Sequence, residues 1–172
     1  HPHGMVMVVG PTGAGKSTTL FSIINELNNS SRKIITLEDP VEISVPGISQ
    51  IPVDTNGGKT FADNLRAVMR LDPDVVMIGE IRDVDTAKTA IQASITGHLV
   101  LTTFHAASSA AAFSRMVDMI GQNPIFANAI RMVISQRLVR RLDDATKHEY
   151  EPDETTKRWI RDNLGDLPDD VE

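Results

Sequence analysis

The octet Gly10-Pro-Thr-Gly-Ala-Gly15-Lys16-Ser17 constrains this chain more than any other stretch. It fits GxxxxGK[ST] at every required position. Before it lies an apolar run, Met5–Val9, and after it a segment whose Leu20, Ile23, Ile24 and Leu27 share one helical face. A strand that ends in glycine and opens into a helix makes a loop whose backbone N–H groups turn inward, with the positive end of the helix behind them. Such a loop binds phosphate. Gly10, Pro11, Thr12, Gly13, Ala14, Gly15, Lys16, Ser17 and Thr18 are therefore the expected nucleotide-binding residues. Lys16 would reach the β- and γ-phosphates of ATP, and the Ser17 hydroxyl would ligate Mg²⁺.

The rest of the chain extends this unit. Lys33–Leu37, Val75–Ile78 and Leu99–Thr103 read as further buried strands. Between Val41 and Val53, short β-branched runs broken by Pro46, Gly47 and Pro52 predict an edge hairpin or an irregular β excursion, and Asn56-Gly57-Gly58 a turn. Thr60, with Asp63 three residues on, is a capping signal for a helix through Phe61, Leu65, Val68 and Met69. Thr86–Ile95 reads as a helix closed by Gly97. Two more helices are predicted, Ser109–Ile120 and Ile125–Leu142, separated by Gly121 and Pro124. Arg137, Arg140 and Arg141 would then lie near a helix C-terminus, where the dipole favours cations. Alternating strands and helices predict an α/β domain, its mainly parallel sheet covered on both faces.

Charge divides the chain. The net charge is −6, but Asp143–Glu172 carries eleven acidic and four basic side chains, leaving residues 1–142 close to neutral. The expected division is an ATPase core over 1–142 and an acidic segment over 143–172. Within the latter, Pro152–Leu164 holds a short candidate helix with Trp159, Ile160 and Leu164 as packing contacts, ended by Gly165; its acidic flanks and Pro168 predict fraying. Neither part has the basic excess of a nucleic-acid binder. The absence of cysteine excludes disulfides and thiolate zinc sites. No apolar run approaches the roughly 18 residues of a membrane span, so no direct membrane insertion is expected. The start at His1-Pro2, without an initiator Met, reads as a domain cut from a longer protein or as a chain renumbered after processing.

A P-loop hydrolase also needs carboxylates at neighbouring strand ends. Asp74-Val-Val-Met-Ile-Gly-Glu80 supplies one: four apolar residues, a small Gly79, then Glu80 where an open α/β sheet binds ligands. Glu80 is the expected group to orient or deprotonate the attacking water. Glu38, Asp39 and Glu42 follow the second strand; they either hold Mg²⁺-bound water and share the base role, or form a solvated acidic turn. Arg82 would pair with phosphate or with an acidic neighbour. His98 and His105 flank the fourth strand, either as functional groups beside the phosphate-loop sheet or as structural hydrogen-bonders.

Taken in order, GPTGAGKSTTL, ITLEDPVE, LDPDVVMIGEIRD and TGHLVLTTFH resemble the Walker A, Asp, Walker B and His boxes of the secretion ATPase superfamily, which drives type II secretion and type IV pilus assembly. The likeness covers about Pro2 to Leu142, and PGISQ, TFADNLRAVMR and ISQRLVRRL add to it. It implies a RecA-like fold, ATP and Mg²⁺ as ligands, and a homo-oligomeric ring of six at the cytoplasmic face of the membrane. There it would work on an inner-membrane platform protein. By position, it makes Glu80 and Glu42 the catalytic carboxylates, gives Glu38 and Asp39 with Ser17 to Mg²⁺, and gives His98, His105 and Arg82 to the nucleotide. PGISQ and LVRRL are closer to the assembly and secretion branch than to the retraction branch.

Two departures stand out. The four-cysteine zinc insertion frequent after LVRRL is replaced by Asp143-Asp144-Ala145-Thr146-Lys147-His148, and the Thr-Asn after the His box by Ala106-Ala107. The alternative reading is a nucleotide-gated scaffold or regulatory ring subunit with little turnover. Intact Lys16, Ser17 and Glu80 oppose it. A nucleic-acid motor is opposed by the charge balance.

Overall fold

Every strand pairing in the sheet is parallel. The computed structural model describes residues 3–55, 57–122 and 128–164. Among them, β1 (Gly4–Val9), β2 (Ile34–Glu38), β3 (Ser49–Pro52), β4 (Val75–Ile78), β5 (Leu99–Phe104) and β6 (Ile130–Ser135) form one sheet in the order β3-β2-β4-β5-β1-β6. The inner strands β2, β4 and β5 are buried along their whole length, which is why their sequences are apolar runs rather than alternations. Four helices belong with this sheet: α1 (Lys16–Leu27), α2 (Phe61–Met69), α3 (Val84–Ile95) and α4 (Ser109–Ile120).

The pleat sorts side chains into two cores. Met5, Met7, Val9, Val76, Ile78, Val100 and Phe104 face one way and meet Leu65 and Val68 of α2, Ala90 and Ile91 of α3, and Met116 of α4. Val8, Val75, Met77, Leu99 and Leu101 face the other way and meet Leu20 and Ile24 of α1. Helices therefore cover both faces, as the alternation of elements predicts.

Local chemistry starts the helices. Thr60 and Asp63 form a full capping box on α2: Thr60 Oγ1 accepts from Asp63 N at 3.1 Å, and Asp63 Oδ2 accepts from Thr60 N at 3.3 Å. Asp83 accepts from Thr86 N on α3, and Ser108 from Ala111 N on α4. The Asp83 cap starts α3 at Val84, two residues before the predicted Thr86.

Three expectations are corrected. Over 130–135, where the helix Ile125–Leu142 was predicted, the chain is strand β6, paired in parallel with β1. Ile130, Val133 and Ile134 suit either period, and pairing with β1 decides between them. Arg137, Arg140 and Arg141 thus do not end a helix. Between Val41 and Val53 no hairpin forms; β3 runs parallel to β2 at the sheet edge, where Pro52, with no N–H to donate, is tolerated. Asn56 of the predicted turn, Pro124 and the start of the predicted helix at 125–127 lie outside the described residues.

The chain divides into two units, His1–Leu138 and Val139–Glu172. In the second, α5 (Glu154–Leu164) is opened by Asp153, which accepts from Thr156 N at 2.7 Å. Trp159 is 60% exposed, so it is not the packing contact expected of it; Ile160 is half-buried. The Leu164 side chain, Gly165 and Pro168 lie outside the described residues.

Candidate active site

Because the strands are parallel, their carboxyl ends share one edge of the sheet. The loop after β1, Glu38 at the end of β2, Glu80 two residues beyond β4 and His105 just after β5 all lie there. Together they line a cleft of about 510 Å³. From the loop come Thr12, Gly13, Gly15, Lys16, Ser17 and Thr18; from the other strand ends come Glu38, Asp39, Glu42, Glu80, Arg82 and His105. Gly10, Pro11 and Ala14 shape the loop without lining the cleft.

The loop enters α1 at Gly15, in the left-handed region (φ 82) with no side-chain cap, whereas α2, α3 and α4 each have one. The first-turn N–H groups of α1 are left to a ligand. Lys16 Nζ donates to the carbonyls of Gly10 at 3.1 Å and Pro11 at 2.9 Å, which keeps the ammonium over the loop.

A guanidinium and an imidazole converge on Glu80, whose side chain is only 16% exposed. Its Oε2 accepts from Arg82 Nε at 2.6 Å, and its Oε1 lies 2.8 Å from His105 Nε2. Arg82 also stands 3.9 Å from Asp39 Oδ2, an oxygen that accepts from Thr55 Oγ1 at 3.1 Å. Arg82 thus bridges the acids that follow β2 and β4. Glu38 is buried, and its Oε1 accepts from Thr36 Oγ1 at 2.5 Å and Gln50 Nε2 at 2.9 Å. Glu42 lines the cleft from an exposed position. The acidic run after β2 is therefore part of the cleft and not merely a solvated turn.

His98 is not brought to the cleft. It precedes β5 while His105 follows it, and seven extended residues put about 23 Å between their Cα atoms. At the far edge its ring Nδ1 lies 3.1 Å from Ala93 O, a structural contact at the end of α3. Of the two histidines expected at one nucleotide, only His105 lines the cleft.

Several contributing residues have partners with no local signal in the sequence. Thr103 Oγ1 donates to Gly79 O at 2.7 Å, tying β5 to the turn that carries Glu80. A Cβ on Gly79 would lie 3.2 Å from Leu37 O, so the turn passes close over β2. Arg115 of α4 sits 5.4 Å from the Phe104 ring centroid and donates to His105 O at 2.8 Å, while Arg137 donates to Ala107 O at 2.7 Å. Two arginines from distant segments thus hold the turn that presents His105.

The donors suit Mg²⁺. The Ser17 hydroxyl and the Glu38 and Asp39 carboxylates are hard oxygen ligands in one cleft. Among the described residues no three His, Asp or Glu side chains converge into an all-protein metal cage.

Comparison with known proteins places the chain in a family. The profile of the family described as Type II/IV secretion system protein matches residues 1–165. Type II secretion system ATPase E of Vibrio cholerae serotype O1 is 48% identical over 157 residues, covering 91% of this chain and 31% of that protein. Type II secretion system protein E of Pseudomonas aeruginosa is 50% identical over 153 residues, covering 89% and 30%. The crystal structure of the pilus retraction motor PilT with bound ADP superposes with a TM-score of 0.73 at 38% identity, covering 81% of this chain and 43% of that one. This chain spans about a third of the length of the curated relatives it matches.

Proposed function

The chain belongs to the type II/IV secretion system protein family, and we propose that it is the ATP-hydrolysing motor domain of a protein that powers type II secretion or type IV pilus assembly. The observation that carries this reading is the meeting, in one cleft, of the phosphate loop with Glu80, Arg82 and His105.

Three phosphates of ATP lie along the inward N–H groups of the loop, and Lys16 moves from the Gly10 and Pro11 carbonyls to the β- and γ-phosphates. The Ser17 hydroxyl would hold Mg²⁺, with Glu38 and Asp39 assisting through water. When bound, that ion neutralises phosphate charge. Glu80 takes a proton from water as the water oxygen attacks the γ-phosphorus and the bond to the ADP oxygen breaks, giving ADP and phosphate. Arg82 and His105 aim the Glu80 carboxylate and stand where charge develops on the γ-phosphate. Glu42 is the second catalytic carboxylate.

Motion follows from differential binding. Contacts made only while the γ-phosphate is attached draw the loop and the acidic segments together, and phosphate loss releases them. In the full protein, six subunits closed into a ring convert this cycle into work on an inner-membrane platform protein at the cytoplasmic face. No helix among the described residues is long and apolar enough to cross a membrane. Identity of about half to type II secretion proteins, against 38% to PilT, favours the secretion and assembly branch.

Steady-state ATP hydrolysis by the full-length protein, beside its Lys16→Ala and Glu80→Gln variants, tests the reading. The parent should turn over. Lys16→Ala should lose nucleotide binding, and Glu80→Gln should bind but lose at least about 100-fold in rate. A parent that binds ATP yet never hydrolyses it when assembled would make the chain a nucleotide-gated scaffold instead.

A further inference from the structure

The chain leaves β6 at Ser135, and the next residue reaches across the end of β1 into the phosphate loop. Gln136 N donates to Val9 O at 2.9 Å. Its side-chain Nε2 donates to Ala14 O at 2.6 Å, and its Oε1 accepts from Thr19 Oγ1 at 2.7 Å. The loop glycines make room for it: a Cβ on Gly10 would lie 2.3 Å from Gln136 O, and one on Gly15 2.9 Å from Gln136 Nε2. One residue thus touches the strand end, the loop and the first turn of α1, although it is 117 positions from Thr19 in sequence.

The contact with Ala14 has a geometric consequence. In a trans peptide the C=O and the following N–H point in opposite directions. Holding Ala14 O on Gln136 therefore turns the Gly15 N–H the other way, and Gly15 lines the cleft. Ala14 O can only accept, so the NH₂ of the amide must face it, and the remaining oxygen then meets the Thr19 hydroxyl. Only a side chain with one donor and one acceptor on a single planar group makes both bonds at this reach.

We propose that Gln136 is a positioning residue for the phosphate site, holding the Ala14–Gly15 peptide so that the Gly15 N–H faces bound phosphate. This rests on the nucleotide-binding reading given above. It assigns the residue after β6 a part in nucleotide affinity rather than in the chemical step.

The test compares the full-length parent with Gln136→Glu, Gln136→Leu and Thr19→Val. Affinity for Mg-ADP is measured by calorimetry, and amide hydrogen exchange is measured over residues 10–16 without nucleotide. Gln136→Glu keeps the shape and the acceptor for Thr19 but sets a carboxylate oxygen against Ala14 O; affinity should fall about tenfold. It should recover as pH is lowered and the carboxyl gains a proton to donate, a rescue that a purely structural role would not show. Gln136→Leu should weaken binding at every pH and raise loop exchange, while Thr19→Val, which spares the Ala14 bond, should cost no more than about threefold. Parent-like affinity and loop exchange in Gln136→Glu at neutral pH would overturn the proposal, even if Gln136→Leu fails to fold. A parent that binds no Mg-ADP would overturn the nucleotide reading, and the exchange comparison would then decide whether Gln136 holds the loop.

Discussion

His105 Nε2 stands 2.8 Å from Glu80 Oε1 on one side of a carboxylate whose other oxygen, Oε2, is held by Arg82 Nε at 2.6 Å. The three groups come from two strand ends, beyond β4 and β5, and they meet because those strands pair in register, Ile78 opposite Thr102. A carboxylate held from both sides has one orientation toward the cleft.

His105→Ala and Arg82→Ala should each lower the hydrolysis rate by about 10- to 100-fold with a small change in nucleotide affinity. Because both act on Glu80, the double variant should lose less than the product of the two single losses. Single-turnover kinetics at saturating ATP checks this. Fully multiplicative losses would mean that the two groups act independently.

Gly10→Ala should destabilise the domain by about 2–4 kcal/mol, since the new Cβ adds a clash to backbone strain. Gly10 has φ 149, and a Cβ there would lie 2.3 Å from Gln136 O, a backbone atom that cannot rotate away. Urea denaturation gives the number. A Gly13→Ala variant has open space around its Cβ and should cost less.

Thr36→Val removes one of two donors to buried Glu38 Oε1 and should cost about 1–3 kcal/mol. Gln50→Leu should cost more, because Gln50 also donates to Ile43 O and accepts from Val45 N. Chemical denaturation of the two variants compares them. The reverse order would show that the segment 43–45 does not depend on Gln50.

At the start of α2, the Thr60 side chain, followed by the Thr60 backbone N–H, holds the exposed Asp63 carboxyl below the usual carboxylate value. A group whose folded pKa is depressed stabilises the fold above its unfolded pKa and loses that contribution as pH falls through the folded value. The cap should therefore be intact near neutrality and weaken only in acid. NMR titration should find the Asp63 pKa raised in Thr60→Ala; an unchanged value would assign the depression to the backbone N–H of residue 60 and to Arg66 instead.

The phosphate loop, the strand before it, the helix after it and the capping box at Thr60 were legible in the sequence because each is a local pattern. A glycine-rich octet, a short apolar run and a side chain three residues from its partner state their geometry within one turn or one strand. Glu80, Asp39 and Arg82 could be placed at the same edge from parallel topology alone, since each follows a strand end.

Non-local contacts decided the rest. Ile130–Ser135 carries no period that separates strand from helix, and β1, more than a hundred residues away, makes it a strand. His98 and His105 look alike as a sequence pair, yet an extended strand sends them to opposite edges. The partners of Gln50, Arg115, Thr103 and Gln136 could not be read from sequence, because a hydrogen-bonding partner brought close by folding leaves no trace in spacing. Sequence by itself determined the chemistry available, through which side chains stand at which strand ends. Tertiary structure alone decided which of them share a cleft and which residues hold them there, because sheet order and register are set by burial of the whole apolar surface at once.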